Sequence, residues 1–147
     1  VFTTCPIVDG FLWSTPKEYA AIRFYTIKNG TEKEVTIKNV EVKTVNDSKM
    51  QLRCVATDQS VYTITLSEKE IKIESKTSNP WKLKLEVATG KTLPLKVKGN
   101  NSLTGELKGI SYGIVCLKGN VKQSGNTVSL NPENNRLIID CSSRDFK

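Results

Sequence analysis

Histidine is missing from all 147 residues. Its absence removes imidazole as a general base, as the partner of a serine or cysteine nucleophile, and as a ligand in two-histidine zinc sites. Long apolar runs are missing too: nothing approaches the ~20 residues a membrane-spanning helix needs, so no membrane insertion is expected. There is no C-x-x-C pair, phosphate loop, nucleophile elbow or dinucleotide fingerprint, and hence no implied metal or cofactor. Arginine is scarce, with Arg23, Arg53, Arg136 and Arg144 the full set. Helical patterning is nearly absent. Thr15-Pro16-Lys17-Glu18 has the form of a capping box with proline at the first helical position, but β-branched and aromatic residues soon follow, so at most one short turn is expected there.

Charge is plentiful and unevenly placed. The net charge is +7, and residues 81–122 carry eight lysines against Glu86 and Glu106, a local net of +6. None of the arginines, which read phosphates and bases best, lies in that stretch, so no nucleic-acid partner is expected. Lysine-covered strand faces account for most of the surplus. An alternative is a surface for acidic polysaccharide built on Lys82, Lys84, Lys96 and Lys98.

The dominant signal is period two. Trp81, Leu83, Leu85 and Val87 alternate with Lys82, Lys84 and Glu86, as a strand with one buried and one wet face requires. Tyr62, Ile64 and Leu66 alternate with threonines, and Ile71 and Ile73 with Lys72 and Glu74. Met50, Leu52 and Cys54 share a phase. Pro94 offers no ladder donor, which marks the strand around Leu93–Val97 as an edge or a bulge. Ile110–Leu117 is apolar in both phases and reads as a central strand buried on both sides. Val35 and Ile37 are out of phase with Val40 and Val42, so a slip falls near Asn39. Asn29-Gly30, Asp47-Ser48, Asn79-Pro80, Gly99-Asn100, Gly125-Asn126 and Asn131-Pro132 supply turns. Ser67-Glu68-Lys69-Glu70 could cap a helix, but it sits between two strand patterns and reads as a hairpin loop. Residues 1–147 are therefore expected to form a single all-β domain, an immunoglobulin-like β-sandwich.

Four widely spaced cysteines, Cys5, Cys54, Cys116 and Cys141, accompany three sequons at Asn29, Asn46 and Asn100. An even cysteine count with glycan acceptors in turns favours an oxidising, secretory route, and Val1, without an initiator methionine, reads as the start of a mature or excised segment. Three pairings are open; loop closure makes each bridge worth about 3.5–5 kcal/mol and does not choose among them. Glu32 with Glu34, and Glu68 with Glu70, have the i,i+2 spacing of one strand face, but lysines interleave them, which is surface charge balancing rather than an acid–base pair. Phe11, Leu12 and Trp13 form an apolar run in a turn-rich segment. It serves either to plug one end of the sandwich or to anchor a protein partner.

A β-sandwich with this cysteine layout resembles the ZP-N module of extracellular egg-coat proteins. The wording of Trp13-Ser14-Thr15-Pro16-Lys17-Glu18-Tyr19 and onward to Tyr25, and of Val40-Glu41-Val42-Lys43-Thr44-Val45-Asn46-Asp47, is similar to the repeats of abalone vitelline-envelope receptors for lysin. The resemblance implies a ZP-N type sandwich with Cys5 bridged to Cys141 and Cys54 to Cys116, and a family tyrosine on a late central strand, for which Tyr112 is the candidate. It implies a secreted, glycosylated, non-enzymatic component of the egg vitelline envelope, an extracellular matrix. Such a module binds sperm lysin during fertilisation and self-associates with other egg-coat modules in fibres. Lysin-type proteins are strongly basic, and this chain is basic as well, so attraction must come from apolar contact, local acidic patches or attached glycans. The partner-binding candidates are accordingly Phe11, Trp13, Glu32, Glu34 and Glu41.

Overall fold

The structure is a computed structural model that describes residues 7–8, 11–12, 22–86, 95–107, 110–124 and 127–140. Among them a small hairpin joins β1 (Ile7–Val8) and β2 (Phe11–Leu12). The first half of the remainder runs β3 (Ile22–Lys28), β4 (Thr31–Glu34), β5 (Ile37–Asn46), β6 (Lys49–Ala56), β7 (Val61–Ser67), β8 (Glu70–Lys76) and β9 (Trp81–Glu86). The second half runs β10 (Leu95–Lys98), β11 (Ser102–Leu107), β12 (Ile110–Lys118), β13 (Asn120–Ser124), β14 (Thr127–Asn131) and β15 (Arg136–Asp140). Every paired neighbour is antiparallel. An eight-stranded sheet has the order β10-β11-β12-β15-β8-β7-β6-β5, and a five-stranded sheet the order β13-β14-β9-β3-β4. The two form the expected all-β sandwich.

The alternating side chains decide which surface of each sheet turns inward. Phe24, Trp81, Leu83, Val128 and Leu130 of the smaller sheet meet Cys54, Tyr62, Ile64, Ile73 and Leu137 of the larger one in one core. Three aromatic rings hold its centre. Phe24 and Tyr62 lie 4.4 Å apart across the sandwich, and the edge of one of Tyr62 and Trp81 meets the face of the other at 5.6 Å. Such pairs add about 0.5–1.5 kcal/mol each beyond the area they bury. Phe24 faces in and Tyr25 faces out because β3 pairs Phe24 with Leu83 and Tyr25 with Lys82.

Two places carry the chain from one sheet to the other almost without a break. Val35 still donates its N–H to Phe24 in the smaller sheet, while the carbonyl of the next residue, Thr36, accepts from Thr57 in the larger one. At the other crossing Gly119, with φ 102°, separates β12 from β13; a Cβ there would sit 2.6 Å from the Asn131 carbonyl oxygen and 2.7 Å from Leu137 Cδ1. Glycine is the residue that meets both demands.

The turns follow the sequence signals. Asn29 and Gly30, at φ 52° and 74°, make the tight hairpin between β3 and β4. Ser67 and Glu70 exchange hydrogen bonds through the Ser67 hydroxyl, closing the β7–β8 loop as a hairpin and not a helix start. The register slips between Ile37 and Asn39, the bulge expected near Asn39. β10 is an edge strand. β12 is internal, as expected, but it is not buried on both faces: Cys116 is buried while Leu117 is 59% exposed. On that second face Val115 is half-buried and Leu117 is exposed, and among the described residues no third layer covers it. The short turn expected at Thr15–Glu18 lies outside the described residues.

Candidate recognition surfaces

The outer face of the smaller sheet gathers the charges. Register places Glu32 beside Ile27, Glu34 beside Tyr25, and Lys82 and Lys84 one strand further, beside Tyr25 and Arg23. The Glu32 carboxylate accepts from both Lys82 Nζ and Lys84 Nζ. Those two contacts, Lys82 first, hold its pKa below the ordinary carboxylate range. Glu34 reaches Arg23 Nε at 3.7 Å, and Lys84 Nζ sits 4.5 Å over the Tyr25 ring.

This face does not present an isolated acidic patch. Glu32 and Glu34 are together, but each is matched by a cation, which leaves no acidic field to attract a basic partner. Glu41 stands apart from them on β5 in the other sheet, 3.9 Å from Arg53. Of the lysines named for an acidic polysaccharide, Lys82 and Lys84 are engaged with Glu32. Lys96 is exposed on edge strand β10. Phe11 contributes backbone to β2, its side chain lies outside the described residues, and Trp13 lies outside them altogether.

The cysteines bring a correction. Cys54 and Cys116 are buried free thiols, not partners in a bridge. Cys54 lies on β6 and Cys116 on β12 of the same sheet, with β7, β8 and β15 between them. Four strand spacings are about 19 Å in a sheet, against the roughly 4.4–6.8 Å between Cα atoms that a disulfide spans. Burial pushes the Cys116 thiol up to about 11 and raises Cys54 in the same direction. Both behave as small apolar core residues. Cys5 and Cys141 lie outside the described residues. Tyr112 takes its backbone place on β12 opposite Gly105; the tyrosine that fills the described core is Tyr62. All three sequon asparagines are exposed at turns, and the Asn46 side-chain oxygen accepts from Ser48 N–H at 3.0 Å.

Two further features were not read from the sequence. The first is the β5–β6 hairpin. β5 is a ten-residue edge strand whose residues after Ile37 are all exposed. Val40 is opposite Cys54 and Val42 opposite Leu52, so these valines point to the core side of the sheet, yet they are 45% and 62% exposed. Five strands cannot cover eight, and among the described residues this edge hairpin is left without an opposing strand. Met50 and Val45 extend the apolar surface. The phase slip near Asn39 is the hint of it in the sequence.

The second is a pair of adjoining clefts at the end where the β3–β4, β6–β7, β8–β9 and β14–β15 turns meet. One, of about 440 Å³, is lined by Trp81, Pro80 and Pro132 together with Asn79, Asn131, Asn134 and Asn135. The other, of about 390 Å³, is edged by Lys28, Lys33, Lys76 and Asp58. Thr77, Ser78 and Asn79 form the ridge they share. Asp58 accepts from the Ser60 hydroxyl and, at 3.0 Å, from Ser60 N–H, and these contacts lower its pKa. The buried Trp81 indole N–H has no hydrogen-bond partner among the described residues, and burial raises the Tyr62 pKa, against a weaker lowering by the Ser60 hydroxyl.

Among the described residues no three His, Cys, Asp or Glu side chains gather as a metal site. Comparison of the chain with protein-family models, curated proteins and solved structures gives no match.

Proposed function

We propose that this chain is a secreted, non-enzymatic recognition module of an egg coat, a ZP-N-like unit that holds sperm lysin and neighbouring coat modules by non-covalent contact in the vitelline envelope. The sequence likeness of residues 13–25 and 40–47 supports the reading. It rests neither on the Cys54–Cys116 pairing, which this fold does not make, nor on an acidic patch.

One observation carries it. The second of those stretches, Val40–Asp47, supplies most of β5 and the start of the turn after it; β5 is the longest strand among the described residues and an exposed edge. An edge strand presents unpaired N–H and C=O groups to an incoming chain, and the Val40–Val42–Met50 row supplies apolar area beside them. Backbone pairing and apolar burial both work between two basic proteins. This moves the partner-facing surface away from Glu32 and Glu34 and onto the hairpin.

Surface plasmon resonance of lysin over the immobilised chain tests it. The double variant Val40→Asp with Val42→Asp should bind lysin at least about tenfold more weakly, on the order of 1.4 kcal/mol. The pair Glu32→Lys with Glu34→Lys should stay within about twofold. A chain that shows no affinity for lysin overturns the reading, and full affinity in the aspartate variant removes the hairpin from it.

A further inference from the structure

We infer that the two adjoining clefts at the turn end form one binding site for an acidic oligosaccharide, with a sugar ring in the first cleft and a carboxylate or sulfate group in the second. The inference stands apart from the lysin reading and uses a different end of the molecule.

The chemistry of each cleft sets its ligand. In the first, four asparagines surround apolar walls. A primary amide offers a donor pair and an acceptor in one plane, which suits neighbouring hydroxyl groups. Pro80 and Pro132 supply apolar contact for the C–H face of a sugar ring, while Trp81, buried behind them, offers no open ring face. Asn131 already donates to Asn120 at 2.9 Å, which fixes its amide orientation and leaves acceptor capacity on its oxygen. Trp81 is 2% exposed, lines this cleft, and carries an indole N–H without an acceptor among the described residues. A buried donor left unpaired calls for an oxygen from outside the chain, and a hydroxyl or a water held by one supplies it.

In the second cleft three lysines face one carboxylate, so its local charge is positive. Asp58 is turned to Ser60, and Lys33 helps hold it ionised. Unlike Lys82 and Lys84, the three lysines carry no salt bridge among the described residues. They are therefore available to an anionic substituent. Each cleft falls in the size range of ligand pockets, and both border Thr77–Asn79, so a ligand longer than one ring would cross that ridge to occupy the two together.

The backbone around the site is held in place. Every described non-glycine residue with positive φ is at this end: Asn29, Gln59, Asn134 and Asn135. Asn134 and Asn135 form a two-residue turn closed by paired hydrogen bonds between Glu133 and Arg136 at 2.8 and 3.0 Å. Gln59, at φ 72°, sits where residues other than glycine and asparagine are uncommon. Walls fixed in this way lower the ordering cost of binding.

The test is an NMR titration of the full chain with two probes, a sulfated heparin-derived hexasaccharide and an unsulfated oligogalacturonate hexasaccharide. At least one should bind saturably and shift both the Trp81 indole N–H and the side-chain amides of Asn79, Asn131 and Asn134. Response to the sulfated probe alone assigns a sulfate group; response to both assigns a general anion. The triple variant Lys28→Ala, Lys33→Ala, Lys76→Ala should weaken binding about tenfold, while Lys69→Ala, Lys96→Ala, Lys122→Ala, equal in charge change, should stay within about twofold. Equal weakening by both triples means a diffuse charge effect and overturns the site. So does binding that leaves the Trp81 indole unmoved, or no saturable binding to either probe. None of these outcomes bears on lysin affinity.

Discussion

The middle of the sandwich and the β5–β6 hairpin are written in the same alternating code and meet opposite fates. Tyr62, Ile64 and Leu137 face a second sheet and are buried. Val40 and Val42 point to the same side of the same sheet, meet no opposing strand among the described residues, and are exposed. Alternation specifies which side of a strand a residue occupies; only the width of the opposing layer specifies whether that side is dry. An apolar row of this second kind is free to meet another chain.

The contrast can be broken by substitution. Leu137→Ala should destabilise the fold by about 2–5 kcal/mol, because a fully buried leucine leaves a cavity. Val42→Ala should stay within about 0.5 kcal/mol, the usual range for an exposed site. Urea unfolding of both variants measures the difference, and comparable losses would show that the hairpin is covered in solution. Gly119→Ala probes the crossing between the layers. Its Cβ would collide with backbone at Asn131 as well as with Leu137, so a loss of roughly 1–3 kcal/mol is expected. Gly30→Ala, also at positive φ but in open space, should lose only about 1 kcal/mol.

Thiol chemistry sharpens the same comparison from inside the core. Cys54 and Cys116 should resist alkylation at pH 8 in the native protein and react once it is unfolded without reductant. A 54–116 linked peptide in a non-reducing digest would refute the separation of β6 from β12. Because burial raises the Cys116 thiol to about 11 from an unfolded value near 9, its contribution is complete below pH 9 and is lost as pH climbs toward 11. Cys116→Ala should flatten that alkaline limb.

The smallest effect belongs to the charged outer face. Glu32 has a lowered pKa, so its contribution is present above the unfolded value near 4.5 and fades as the pH falls below it. Glu32→Gln should remove part of the acid limb and at most about 1 kcal/mol at neutral pH, as for other solvent-accessible pairs. Denaturant midpoints at pH 3 and pH 7 provide the check.

Much of this fold was legible beforehand because the signals were local. Pro94 announced an edge, Asn29-Gly30 a tight hairpin, and the phase change near Asn39 a bulge; each depends on two or three neighbouring residues. The candidate sites were less legible because they depend on segments far apart in the chain. Glu32 is neutralised by lysines fifty residues on, through the pairing of β4, β3 and β9. The oligosaccharide cleft draws on four separate turns, none of which carries a motif by itself. Cysteine spacing was compatible with a Cys54–Cys116 bridge, but spacing along the chain contains no information about how many strands a sheet will insert between two positions.

Side-chain period and turn chemistry were enough to determine strands, faces and an all-β class, since pleat and backbone preference act within a few residues. Tertiary structure alone decided the order of strands, the mismatch of eight against five, and therefore which valines stay wet, which glutamates are silenced and which thiols are kept apart. Those outcomes depend on contacts between distant segments, which become defined only when the two layers close on one another.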